Sequence, residues 1–307
     1  MKVLSVNISE ITGTIKLPVD IITINEKGVM NDAHAGNWHR QVSMLALESI
    51  NKFSVDAKRK INFGEFAENI TTEGMELFKS GPLDRFQIGN VILEVTQIGK
   101  ECHGTSCNIF KEVGNCIMPK EGIFCRVIQG GSVKAGDDII YDQKIFKTGI
   151  ITLSDRASAG EYSDRSGPRI EELITEFYSE QNRKSNIDYT LIPDNPELLR
   201  KNISDLVSKK ADIIFTTGGT GIGSKDFTVD VVKPMLDKEI PGIMDFIRYK
   251  YGSEKPNALI SGAVAGIIGK TMVFTLPGSV KAVNEYMAEI TKVLNHLTLM
   301  LHDIDAH

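Results

Sequence analysis

The chain has 307 residues, of which 41% are hydrophobic and 24% charged, a composition that suits a globular protein of two domains, each with its own core. Its net charge of −5 offers no basic field to a polynucleotide. No apolar run approaches the ~18 residues of a membrane helix, and Met1 to Asn7 lack the apolar core of a signal peptide. A cytoplasmic protein with neither nucleic-acid nor membrane partners is expected.

The first half reads as β-rich. Short strand-like runs cover Val19–Ile24, Asn90–Thr96 and Ile123–Ile128, and a further strand is expected over Asp138–Tyr141. Gln129–Ser132 reads as a hairpin turn. A helix is expected over Ser43–Phe53, where Leu45, Leu47 and Ile50 can share an apolar side. Many short strands with glycine turns predict a barrel-like β domain. All four cysteines lie here, at positions 102, 107, 116 and 125, without a Cys-x-x-Cys pair. That spacing gives structural zinc no support and leaves thiol chemistry open.

The second half alternates strand and helix. Strands are expected at Thr148–Leu153, Tyr189–Ile192, around Ile213 and at Thr271–Leu276. Helices are expected at Arg169–Tyr178, from Pro196 onward, and in segments reaching about Tyr251. The last helix carries Val283, Met287, Ile290, Leu294, Leu297 and Leu301 at spacings of three and four, one apolar stripe. This alternation predicts a doubly wound α/β domain with a mostly parallel sheet. The short polar link Asp142–Lys147 separates the two domains, 1–144 and 145–307.

The most informative stretch is Thr216 to Asp226, Thr-Thr-Gly-Gly-Thr-Gly-Ile-Gly-Ser-Lys-Asp, which follows the buried-strand run Ala211–Phe215. Glycines let backbone amides approach an anion closely, which is what a loop wrapped around phosphate requires. The spacing fits neither a Walker A loop nor the Gly-x-Gly-x-x-Gly dinucleotide fingerprint. Ligands of an open α/β sheet sit beyond the carboxyl ends of its strands. Four polar segments fall there: Ser154-Asp155-Arg156 through Asp164, Pro193-Asp194, the glycine loop ending in Lys225-Asp226, and Pro277-Gly278-Ser279. Asp194 and Asp226 can share one rim and hold Mg²⁺ bridging phosphates. Each also has a plainer reading: Asp194, Asp226 and Ser279 as helix caps, and Asp155-Arg156 as an internal ion pair.

These segments, with Ser166-Gly167, Glu239-Ile240-Pro241-Gly242 and Lys281-Ala282-Val283, resemble the Mog/MoaB molybdopterin adenylyltransferases from residue 147 to about 300. The resemblance implies Mg²⁺-dependent transfer of AMP from ATP to molybdopterin, with release of diphosphate. It implies that Asp194 and Asp226 are the essential carboxylates and metal ligands. It implies that Ser154, Asp155, Arg156, Asp164, Thr217, Gly218, Gly219, Thr220, Gly221, Lys225, Ser261, Pro277, Gly278 and Ser279 bind nucleotide and pterin. It also implies homotrimers and partners in molybdenum cofactor synthesis such as the metal-insertion enzyme. Two positions depart from the family pattern: Gly262 stands where Arg often follows the serine, and Val280 where Pro often does.

In the first half, Asp32-Ala33-His34-Ala35-Gly36 with Arg40-Gln41-Val42-Ser43, and Cys102 beyond the strand from Val91, resemble the MOSC domain over residues 1 to 143. That resemblance implies a β-barrel that binds the molybdenum cofactor or carries sulfur on Cys102, with His34 and Arg40 beside it. Asn31 and Glu101 depart from its usual Gly and Pro. A non-catalytic molybdopterin or cofactor carrier is the alternative for the whole chain, and the intact pair Asp194 and Asp226 argues against it. A different nucleotide reaction on the same fold, such as pyridine nucleotide hydrolysis, is disfavoured by Ser154-Asp155-Arg156 and Pro277-Gly278-Ser279.

Overall fold

The computed structural model describes residues 1–100 and 116–304. The chain divides into two compact units, Met1–Lys144 and Ile145–His307. Among the described residues no helix is long and apolar enough to cross a membrane.

The first unit contains strands β1 (Lys2–Ile8), β2 (Leu17–Val19), β3 (Ile21–Asn25), β4 (Gly28–Val29) and β5 (Val42–Ala46), then helix α1 (Leu47–Ala57). Beyond these come β6 (Ile70–Glu73), β7 (Arg85–Ile88), β8 (Val91–Ile98), the short helix α2 (Met118–Glu121), β9 (Ile123–Gln129), β10 (Gly131–Lys134) and β11 (Ile139–Asp142). Eight strands form one sheet in the order β11-β7-β8-β9-β5-β6-β1-β2, and β10-β3-β4 form a second. The expected barrel is not realised as a closed sheet among the described residues. A single bridge, Lys2 to Asp138, links β1 to the residue before β11.

Two local expectations are corrected here. The helix expected from Ser43 begins only at Leu47, because Val42–Ala46 is a strand paired with β9 on one side and β6 on the other. Alternation along this strand sends Val42, Met44 and Ala46 into the main core and Leu45 into a second cluster with Ile50 and Phe53 of α1. A central strand with both faces covered shows no alternation of exposed polar positions, and its one polar residue, Ser43, is itself buried and donates to the Ala67 oxygen, so its sequence imitates a helix start. The supposed hairpin at Gln129–Ser132 instead carries the chain between sheets: β9 pairs with β8 and β5, whereas β10 pairs with β3. Gly130 sits there because a Cβ would lie 2.4 Å from the Ile24 carbonyl oxygen.

The second unit begins with β12 (Ile145–Leu153), helices α3 (Asp155–Ser158) and α4 (Ser166–Glu180), β13 (Lys184–Ile192), α5 (Pro196–Ser208) and β14 (Ile213–Thr217). It continues with α6 (Thr228–Val232), β15 (Lys238–Glu239), α7 (Pro241–Gly252), β16 (Ala265–Ile268), β17 (Thr271–Leu276) and α8 (Val280–Leu301). The sheet order is β13-β12-β14-β17-β16-β15. Its first four strands run parallel, and β16 and β15 add an antiparallel edge that the sequence reading did not anticipate.

Every residue of β14 and β17 is buried, and successive residues pack against opposite helical layers as a doubly wound sheet requires. Ile151, Ile214 and Val273 face Leu199, Ile203 and Leu206 of α5 with Val231 and Val232 of α6. Phe215 and Phe274, stacked with ring centroids 5.6 Å apart, are also fully buried, and α4 and α8 pack on β14 and β17. The α8 stripe is buried at Val283, Met287, Ile290 and Leu294, then becomes only half-buried at Leu297 and Leu301. Register aligns the strand ends: Leu153 with Ile192, Thr152 with Thr217, and Thr217 with Leu276. Four loops therefore leave the sheet side by side.

Candidate functional site

The glycine loop is held by its carbonyl groups. Thr228 Oγ1 donates to the Gly218 oxygen (2.8 Å), Thr228 N–H to the Gly219 oxygen (3.0 Å), and Gly262 N–H to the Thr220 oxygen (2.8 Å). The amides of Gly219, Thr220 and Gly221 have no acceptor among the described residues, and these three residues line a pocket of about 400 Å³. Successive unpaired N–H groups in a concave loop constitute an anion site. Gly218 and Gly219 take φ of +105° and +63°, and a Cβ on Gly218 would lie 2.5 Å from the Leu153 carbonyl oxygen. The chain can turn this tightly only without side chains.

Pro277-Gly278-Ser279 forms an adjoining wall of the pocket. Thr217 Oγ1 donates to the Pro277 oxygen at 3.0 Å, joining the two loops, so Thr217 is a brace and does not line the pocket. Ser279 caps α8 by accepting from Ala282 N–H at 3.2 Å. Gly278 also borders a second pocket of about 320 Å³, lined by Ser154, Tyr162, Asp164, Ser166 and Val280.

The carboxylates are not helix caps. Asn195, not Asp194, caps α5, its Oδ1 accepting from Leu198 N–H at 2.9 Å. The residue before α6 is Phe227, and Asp226 Oδ2 accepts from Gly223 N–H at 2.9 Å. Asp226 lines the larger pocket, whereas Asp194 lines neither. Asp194 is joined to Asp155 by two backbone-to-carboxylate hydrogen bonds, and Asp155 pairs with Lys225 Nζ at 3.6 Å. The two essential-carboxylate candidates are thus linked through Asp155 and Lys225 across three strand ends. Arg156 does not pair with Asp155. Its guanidinium lies 5.2 Å from the centroid of the Tyr162 ring.

Asp164, which borders the smaller pocket, also braces the scaffold. Its carboxylate accepts from Thr152 Oγ1 (2.7 Å), Tyr189 Oη (2.8 Å), the N–H and hydroxyl of Ser166 (2.9 and 2.8 Å) and Gly167 N–H (3.0 Å). Partial burial works to raise its pKa, but the hydrogen bonds from Thr152, Ser166 and Tyr189 outweigh it and hold the carboxyl below the ordinary range. Burial and the bond to Asp164 push the Tyr189 phenol up to about 12. Asp164 anchors the start of α4 to β12 and β13.

The sequence reading missed the far wall of the larger pocket: Arg248, Tyr251, Lys255, Glu285 and Tyr286 join Ser261 and Lys281 there. Tyr286 Oη bonds Ser261 Oγ at 3.0 Å. Only Ser261 and Lys281 carried a signal in the sequence, both as neighbours of recognisable motifs.

In the first unit a cavity of about 260 Å³ is lined by His34, Trp38, Arg40, Asn69, Lys100 and Phe124, among others. Arg40 lies over the Trp38 ring, 4.8 Å from its centroid, and Trp38 Nε1 donates to the His34 oxygen at 2.9 Å. Asp32 beneath accepts from Ser9 N–H (3.1 Å), His34 N–H (3.0 Å) and the buried ammonium of Lys16. Burial disfavours its charge, yet His34 and Lys16 keep Asp32 well below the usual carboxylate range. Cys102 lies outside the described residues. Cys125 is buried, its thiol pushed up by burial and by Glu94, which makes it a core residue and not a nucleophile.

The fold and these loops define an α/β domain built to hold anions at the ends of its parallel strands, and comparison with known proteins gives the family. A family model described as a probable molybdopterin binding domain matches residues 149–296, and a MOSC domain model matches residues 31–140. The molybdenum cofactor biosynthesis protein B of Staphylococcus carnosus is 34% identical over 151 residues, 48% of this chain and 86% of that protein. The molybdopterin adenylyltransferase of Pyrococcus furiosus is 34% identical over 161 residues, 50% of this chain and 92% of that protein. A solved structure of the tungsten cofactor synthesizing protein MoaB from Pyrococcus furiosus aligns at 35% identity with a TM-score of 0.45, covering 52% of this chain and 98% of that one. The chain belongs to the MoaB/Mog family through its second unit and carries a MOSC domain ahead of it.

Proposed function

We propose that the second unit is a molybdopterin adenylyltransferase acting in molybdenum cofactor biosynthesis. The observation that carries this reading is the row of unpaired amides, Gly219 to Gly221, sharing one pocket with Asp226 and the Pro277-Gly278-Ser279 loop. The name of one relative, molybdopterin adenylyltransferase, supplies molybdopterin as the acceptor of an adenylyl group, and family resemblance supplies ATP as its donor.

The reaction requires no protein nucleophile. An oxygen of the pterin's terminal phosphate forms a bond to the α-phosphorus of ATP as the bond to the β-phosphate oxygen breaks, and diphosphate leaves with that electron pair. The loop's work is positioning and charge stabilisation: amides already oriented at an anion need no reorganisation as charge shifts toward the leaving oxygen. In this reading Lys225, exposed and paired with Asp155, adds a positive charge near the departing diphosphate.

Hard carboxylate oxygens at Asp194 and Asp226 have the donor chemistry for Mg²⁺, which commonly takes one or two carboxylates and completes its shell with phosphate oxygens and water. Among the described residues no cluster of three or more His, Cys, Asp or Glu could form a dedicated cage, which suits a metal that arrives with the nucleotide. When bound, Mg²⁺ would neutralise phosphate charge. In this reading Asp155 holds Asp194 in place for it.

For the first unit the reading is a cofactor- or sulfur-handling MOSC domain whose cavity, with His34 and Arg40, takes the molybdenum cofactor, and the family resemblance makes Cys102 its sulfur carrier. A cytoplasmic location, homotrimers and exchange with the metal-insertion enzyme complete the proposal, resting on family resemblance. The test is incubation of the full chain with molybdopterin, Mg²⁺ and ATP, with product analysis for adenylylated pterin. Adenylylated product from the intact chain and none from Asp226→Ala supports the reading. An inactive intact chain, or undiminished product from that variant, sinks it.

A further inference from the structure

The wall facing the glycine loop carries more positive charge than its own carboxylates balance. Three cations line this pocket: Arg248, Lys255 and Lys281. Arg248 is occupied elsewhere, donating to the carbonyl oxygens of Ser261 (3.2 Å) and Ala263 (2.9 Å) and to Asp245 Oδ1 (2.7 Å). It fixes the backbone on either side of Gly262.

Lys255 and Lys281 lie close enough to interact, and Glu285 is the one carboxylate paired with either of them among the described residues. Glu285 accepts from Lys255 Nζ at 2.5 Å, and no carboxylate pairs with Lys281 among the described residues. The other carboxylate of the pocket, Asp226, is bonded on the loop side to Gly223 N–H. Two like charges held together repel, and an anion between them relieves that repulsion. The unpaired amides of Gly219 to Gly221 line the same pocket. One cavity therefore holds both amide dipoles and ammonium groups, a combination complementary to phosphate oxygens. Gly262 contributes no side chain here, although a Cβ at that position would meet only ordinary contacts, 3.4 Å from the Thr220 oxygen and 3.5 Å from Val229. The side-chain charge of this wall comes instead from the segment after α7 and the first turn of α8.

We infer that Lys255, held by Glu285 beside Lys281, is a phosphate-binding residue of this pocket and sets the affinity for an anionic group of the substrate. The identity of that substrate rests on the adenylyl-transfer reading; the binding role does not. The phosphate can belong to the nucleotide or to the pterin, and the two are separated by experiment.

The full chain is titrated calorimetrically with inorganic diphosphate and with Mg²⁺-ATP, and KM for molybdopterin is measured in parallel. Lys255→Ala is expected to weaken the affected ligand roughly tenfold, the loss typical of a charge-assisted hydrogen bond. Lys255→Arg should restore binding to within about threefold, because it preserves the charge. Glu285→Gln should tighten binding, since the competing carboxylate is gone. Loss confined to diphosphate and ATP assigns the nucleotide phosphates, and loss confined to KM for molybdopterin assigns the pterin phosphate. Lys255-dependent diphosphate binding by a chain that makes no adenylylated pterin upholds this inference and defeats the proposed reaction. Wild-type affinities and KM in both Lys255→Ala and Lys255→Gln, in an active enzyme, overturn the inference, as does failure of the wild-type chain to bind any of the three.

Discussion

Asp155 and Asp194 hold each other. Asp194 N–H donates to Asp155 Oδ1 at 3.0 Å, and Asp155 N–H donates to Asp194 Oδ2 at 3.2 Å, across the ends of two adjacent parallel strands. One bond limits where the backbone of Asp194 can lie and the other limits where its carboxylate can point. Asp155 is thus a positioning residue for Asp194, and through Lys225 it reaches the residue before Asp226.

This predicts distinct outcomes at the two positions. Asp194→Ala should abolish adenylyl transfer, whereas Asp155→Ala should lower kcat by about 10²-fold, the scale of a reacting group displaced by roughly an ångström. Asp155→Asn keeps an acceptor for Asp194 N–H and should lose less. Asp155 is exposed and Asp194 half-buried, so urea midpoints of all three variants should stay near wild type. A wild-type kcat in Asp155→Ala would show that the reciprocal bonds do not matter to catalysis.

Gly218 sets up a second comparison. With φ of +105° and a backbone oxygen 2.5 Å from any added Cβ, Gly218→Ala should cost about 1–3 kcal/mol in stability, with a loss of diphosphate binding as the loop shifts. Gly242, where a Cβ meets nothing within 4 Å, serves as the control, and Gly242→Ala should match wild type in both measurements.

The second unit was more legible than the first for a physical reason. Parallel strands buried on both faces are written as unbroken apolar runs, and Ile213–Phe215 and Met272–Phe274 could hardly be anything else. Ligands of such sheets sit beyond the strand ends, so the place of Asp226 and Gly219 at one pocket was readable from position alone. Val42–Ala46 misled because a buried strand running straight into α1 offers no punctuation. Lys255 was invisible: it sits in Gly252-Ser253-Glu254-Lys255-Pro256, a surface-like stretch, and only the tertiary fold brings it opposite the glycine loop. Asp164 both borders the smaller pocket and accepts five hydrogen bonds from the scaffold, and the second of these roles is one that charge and spacing do not reveal.

Asp164 also predicts a pH dependence. Its folded pKa lies below the ordinary value of 3.8, so the stabilisation it provides is present above that value and lost as pH falls through the lower folded one. Asp164→Asn should therefore be less stable than wild type at pH 7, with the gap closing on acidification below about pH 4. Tyr189 works in the opposite direction. Its raised pKa contributes stability that is present below an unfolded value of 10.0 and is lost as pH rises toward about 12, so Tyr189→Phe should narrow that alkaline loss. Urea midpoints across pH 3–11 measure both.

The first unit contains a pair whose removal should be costly in one sense and cheap in another. Lys16 and Asp32 are each only 1% exposed at the side chain. Burial alone drives the Lys16 pKa down, and Asp32 opposes that by giving the ammonium a partner. Asp32→Ala strands this ammonium in the interior and also removes the acceptor that holds His34, so a loss of about 3–5 kcal/mol is expected. Replacing both residues, Lys16→Met with Asp32→Ala, removes the stranded charge and should recover part of that loss, giving a clear coupling in a double-mutant cycle. Trp38 is the sole tryptophan and bonds to the His34 carbonyl, so its fluorescence reports on this unit directly. If the Asp32→Ala and Lys16→Met effects simply add, the pair is not a coupled buried ion pair. If they couple and the double variant still loses affinity for the molybdenum cofactor proposed for this cavity, Asp32 matters there chiefly by orienting His34.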